Sequence, residues 1–205
     1  MDTRTAGKAR ELEVLKAIGL NGWLTTRLAG AWVWNDSNAH ASTNRAQIVL
    51  ARLLKKKEVA KRETMAGPTA WILTKSGADR VNVNLIAEGY ERGWAHHGYD
   101  AGTLNFVRHE SLVDYLAAKL KEPGVLGAIG KAGLRAGIAP GLEEADGAYI
   151  KSNFDGGYTV VGVLSVTNAR EGIQTKLKSL RTQKQVIDLA GDARIVATLR
   201  KRTSV

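Results

Sequence analysis

From Ser42 to Val81 the chain reads STNRAQIVLARLLKKKEVAKRETMAGPTAWILTKSGADRV, an order of elements that leaves few folds open. Ser42 is expected to cap a helix running from Thr43 to about Lys57. At about 100° per residue, Ala46, Val49, Leu50 and Leu53 fall on one face of that helix. Asn44, Gln47, Ile48, Ala51, Arg52 and Lys55 fall on or beside the other. VAKRET then reads as a strand, MAGP as a tight turn and TAWILT as the returning strand. Thr74 is placed to cap a further helix, KSGADRVNVNL.

Two helices are expected upstream. Residues 8–18 place Leu12, Leu15 and Ile18 on one face with charges opposite, and Asn21-Gly22 suits the left-handed backbone that ends a helix. Thr25 is the expected cap of a second, short helix reaching about Val33. NDSNAHAS reads as polar turn material before the third helix.

Charge gives this segment its chemistry. The net charge is +10, and it is unevenly spread. From Ser42 to Arg62 seven cations (Arg45, Arg52, Lys55, Lys56, Lys57, Lys61, Arg62) stand against Glu58 alone. Polyanions are the natural partner of such a cluster, because neutralising phosphates releases their condensed counterions. Asn and Gln can pair bidentately with adenine, Arg with guanine, and Ala leaves room for a thymine methyl.

LARLLKKKEVAKRE followed by WILTKSGADRV resembles the recognition helix, wing and closing "LT-x-x-G" of winged-helix DNA-binding proteins. The resemblance covers residues 8–85. It implies groove contacts from Asn44, Arg45, Gln47 and Arg52 and wing contacts from Lys61 and Arg62, with Thr43 and Lys55 as further expected DNA-binding residues.

Residues 86–104, with GYERGWAHHGYDAG, read as a linker, and residues 105–205 as a second domain. A helix is expected over 106–120. GVLGAIGKAGLRAGIAPG reads as a loop with a short helix, lacking both a Walker ending and a dinucleotide fingerprint. GAYIKS, YTVVGVLSVT and RIVATLRK read as strands, with a helix at REGIQTKLKSLRTQKQVIDLAG between the last two. The expected fold class is therefore α+β in the first domain and α/β in the second, around a small mixed sheet.

RHESLVDYLAAKL, ADGAYI and VLSVTNAREGIQTKLKSLRTQ resemble the C-terminal half of the replication-relaxation family of plasmid and mobile-element proteins. That likeness implies a restriction-endonuclease-like second domain. An active nuclease of this kind needs an acid at a hairpin start and Glu/Asp-x-Lys on the next strand, to hold Mg²⁺ and position water. Asp146 matches the first position, but Ser165-Val166-Thr167 stands where the second should be, and Glu171 lies beyond the strand. Asp146 then reads as a turn residue before Gly147.

The resulting expectation is a non-enzymatic protein that binds double-stranded DNA as a homodimer, without cofactor or metal. Its second domain would dimerise, recruit a protein partner or touch the DNA backbone. The resemblance implies transcriptional control, or replication, transfer or segregation of a plasmid, phage or integrative element. Two alternatives stand beside it: a metal-dependent nuclease, and an adaptor that binds only protein. No apolar run reaches the length of about 18 residues needed to span a bilayer, and with no leader-like N-terminus a cytoplasmic, nucleoid- or plasmid-associated location is expected.

Overall fold

The computed structural model describes residues 3–64, 67–90, 93–99, 106–142, 145–153 and 156–163. Across them the protein is a mixed α+β fold of six helices and two small antiparallel sheets. The element order begins α1 (Thr3–Asn21), β1 (Trp23–Thr25), α2 (Thr26–Val33), α3 (Ala39–Lys55), β2 (Val59–Arg62), β3 (Ala70–Leu73) and α4 (Lys75–Ala87). It continues with α5 (Phe106–Lys119), β4 (Val125–Gly130), α6 (Lys131–Arg135), β5 (Gly147–Ser152) and β6 (Tyr158–Val163).

Helix α1 is the spine. Every residue from Val14 to Asn21 is buried, so the helix has no solvent face over its last two turns. Lys16 is buried there with a partner: it donates to both carboxylate oxygens of Glu88 at the end of α4. This corrects the expected amphipathic helix with charges facing water. Helices α2, α3, α4 and α6 and strand β4 all pack against α1. Gly22, at φ +86°, ends the helix as expected, donating its N–H to Ile18 O at 2.7 Å.

The first sheet has the order β1-β3-β2, with Trp23 opposite Ile72 and Val59 opposite Leu73. Strand β1 was not expected. It is only WLT, too short for an alternating pattern, and Thr25 passes directly from the strand to capping α2 through Leu28 N. Helix α3 begins earlier than its sequence suggests. Asn38, not Ser42, is the cap, accepting from Ala41 N at 2.9 Å, and Ser42 is buried inside the helix, donating back to Ala39 O. The alanines at 39 and 41 favour helix strongly enough to extend it by a turn.

The second sheet has the order β4-β5-β6, and its described strands are all antiparallel rather than mixed. Strand β4 corrects the expected loop. Its glycines weaken β propensity in VLGAIG, but burial on both faces decides the outcome, and Gly130 lies opposite Gly147. Part of the expected linker is packed rather than loose. Trp94 and Ala95 are buried, and Asn82 holds the backbone of Ala95 through both its N–H and its carbonyl. One hydrophobic cluster runs from Leu15 and Ile18 through Leu50 and Leu73 to Leu116, Ile129 and Ala148. The helix and strand expected at 171–189 and 194–201, with Ser165, Thr167 and Glu171, lie outside the described residues.

Candidate nucleic-acid interface

Helix α3 turns its apolar side inward. Ala46, Val49, Leu50 and Leu53 are buried, as the heptad-like spacing requires. The opposite face carries Asn44, Ile48, Ala51 and Lys55 in line, with Arg45 and Arg52 along one flank and Gln47 along the other. All of these are exposed, including Ile48 at 55%. Thr43 is half-buried and its hydroxyl donates to Ala39 O at 2.7 Å, so the helix itself holds that group. Asn44 Nδ2 donates to His40 Nε2 at 3.0 Å, and Arg45 donates to Ser37 Oγ at 2.8 Å. Those two neighbours, contributed by the turn and the unexpected first turn of α3, hold the ends of the face in place. Gln47, Arg52 and Lys55 point their polar groups at solvent.

Of the seven cations between Ser42 and Arg62, Lys56 is drawn off to Glu11 at 2.6 Å. The remaining six have no ion pair among the described residues. Four sit on α3 or its end, and two, Lys61 and Arg62, on β2. Lys61 lies over the Trp71 ring, 5.2 Å from its centre, which steadies the stem while leaving the ammonium exposed.

The join between helix and hairpin is built tightly. Lys57 N donates to Leu54 O and Glu58 N to Leu53 O, both at 3.0 Å, with Lys57 in left-handed backbone at φ 58°. This pair of bonds is a Schellman ending with a lysine where glycine is usual. Thr74 locks the far side: its hydroxyl donates to Lys57 O at 2.6 Å and accepts from Gly77 N at 3.2 Å. A Cβ on Gly77 would stand 2.0 Å from Glu58 O, so the "LT-x-x-G" run has a geometric reason. Beneath the join, Glu11 accepts from Lys56 and Arg80, and Arg80 also reaches Glu58 at 2.6 Å. Burial alone would raise the Glu11 carboxyl, but hydrogen bonds and charge from Lys56 and Arg80 outweigh it and hold the carboxyl below its usual value.

Asp146 is elsewhere, and it is no simple turn residue. Its side chain is only 2% exposed, at the head of β5, and it accepts from Arg108 and from Lys131 Nζ at 2.7 Å. Beside it, His109 stacks on Trp23 at 3.9 Å and donates to the Trp23 carbonyl at 3.0 Å. Burial pushes His109 down to about 4, helped by the charge of Lys131 and opposed by that hydrogen bond. Arg27 of α2 grips Asp114 and Glu110 of α5, which raises its pKa through the Asp114 bond above all. No sequence signal links residues 80 or more positions apart; only Asp146, by its hairpin position, was visible beforehand. Scanned against family models, curated proteins and solved structures, the chain matches none of them.

Proposed function

We propose that this chain is a winged-helix protein that binds double-stranded DNA, with α3 in the major groove and the β2–β3 hairpin on the flanking backbone. The observation that carries the reading is the set of six unpaired cations around exposed Asn44, Gln47 and Ile48. Arg45 and Arg52 are assigned to guanine edges, Asn44 and Gln47 to adenine, and Ile48 with Ala51 to thymine methyls. Lys55, Lys57, Lys61 and Arg62 are assigned to phosphates, where charge matters more than geometry. Thr43 is left a supporting role, since its hydroxyl is already bonded within the helix.

The protein acts as a homodimer in this reading, because one recognition helix reads too few base pairs to stand out among genomic competitors. It is not an enzyme. Asp146 is flanked by two cations, and a carboxylate so neutralised is a poor ligand for Mg²⁺. The sequence resemblance to the replication-relaxation family supports action on a plasmid or other mobile element, within the nucleoid. The test is anisotropy of a labelled duplex across a salt series. Four phosphate-directed cations per protomer give a slope of log K against log salt of about −3.6 for each protomer. Failure to bind at low salt would sink the reading and leave a protein partner for α3. Mg²⁺-dependent nicking of supercoiled DNA, lost in Asp146→Asn, would replace it with a nuclease.

A further inference from the structure

Where α1, α5, α6 and the head of β5 meet, a cavity of about 190 Å³ opens to the surface. Among the described residues its charged lining is Arg108, Lys131 and Arg135 against one carboxylate, that of Asp146, a surplus of two positive charges. His109, at about 4, adds none at neutral pH. Asp146 is buried and grips the first two cations, so their heads are fixed before any ligand arrives. Arg135 is exposed and has no ion pair among the described residues. Trp23 and Tyr99 supply the apolar wall.

We infer that this cavity is a phosphate-monoester site, with Arg108, Lys131 and Arg135 on the phosphoryl oxygens and the ester's organic part against Trp23 and Tyr99. A monoester carries about −1.5 to −2 charges at neutral pH, which matches the surplus. At about 190 Å³ the cavity offers more room than a bare phosphate needs, and Trp23, Tyr99 and Leu112 give the organic part of an ester an apolar wall. Such a monoester comes either from a free small molecule or from a nucleic-acid 5′ end.

Thermal unfolding of the full chain tests this at constant ionic strength with 5′-AMP, adenosine and inorganic phosphate. A hundredfold excess of 5′-AMP over its Kd raises Tm by about 5–10 °C, and adenosine does not. Arg135→Gln, at an exposed position that folding tolerates, weakens 5′-AMP about tenfold or more, whereas Arg52→Gln on α3 leaves it unchanged. No shift with 5′-AMP, an equal shift with adenosine, or equal weakening in the two variants would each overturn the site. Competition by a 5′-phosphorylated duplex but not by its dephosphorylated twin assigns the ester to a nucleic-acid end. Competition by neither assigns it to a free ligand, and equal competition by both would show a backbone-phosphate surface and overturn the monoester site.

Discussion

The cations of α3 and those around Asp146 are held in opposite ways. On α3, its end and β2, six stand exposed without a carboxylate partner among the described residues. Around Asp146, two are clamped to a buried acid at the head of β5, and Arg135 lines the same cavity. Exposed charge of the first kind is screened by salt and free to meet a long polyanion. Charge of the second kind has lost part of its hydration already, so it suits one small group in one geometry. The same residue types thus make a surface for a polymer in one place and a pocket in another.

Breaking the first group has the largest expected effect. Arg45→Ala with Arg52→Ala costs about 2–6 kcal/mol of duplex affinity, at about 1–3 per base contact. Tm stays nearly constant, since both side chains are exposed. Lys61→Ala weakens all sequences alike and reduces the salt slope by about 0.9. Unchanged anisotropy titrations in both variants would remove α3 from the interface.

The seam answers to pH instead. His109 sits lowered from 6.5 to about 4, so between those values the unfolded chain binds the proton and the folded chain resists it. Stability from this group is full above about pH 6.5 and falls away toward pH 4, by on the order of 3 kcal/mol. His109→Gln removes that part of the acid sensitivity, and urea midpoints from pH 7 to 4 measure it. Asp146→Asn costs somewhat less, about 2 kcal/mol, because Arg108 and Lys131 are each about a third exposed and partly rehydrate. Its duplex affinity stays as in the parent, which separates the seam from α3. A parallel loss of affinity would join the two regions into one surface.

Legibility in the sequence follows the same divide. The inner and outer faces of α3, the hairpin strands and the Thr25 and Thr74 caps were all readable, because local periodicity and capping chemistry set them. What was missed depends on distant partners. VLGAIG becomes a strand only because GAYIKS lies beside it, and WLT only because AWIL does. Lys16 is buried on a helix that looked one-sided, since Glu88 arrives from the end of α4 to meet it. Asp146 looked like a turn residue because Arg108 and Lys131 are brought to it by folding alone.

Lys57 offers the smallest effect and the sharpest separation. Among described non-glycine residues it alone has positive φ, at the point where α3 turns into β2. Left-handed backbone costs a residue with a Cβ about 1–2 kcal/mol. Lys57→Gly relieves that cost but adds freedom to the unfolded chain worth about 0.4–1 kcal/mol. The net is a gain of about 0.5–1 kcal/mol, or a few degrees in Tm. The same change deletes one of the six unpaired cations, so the salt slope falls by about 0.9 and duplex affinity drops. Stability and affinity therefore move in opposite directions. Lys57→Arg keeps charge and strain, and both measurements stay at parent values. If Lys57→Gly binds duplex as tightly as the parent while melting higher, the turn after α3 lies off the DNA and the interface ends at Lys55.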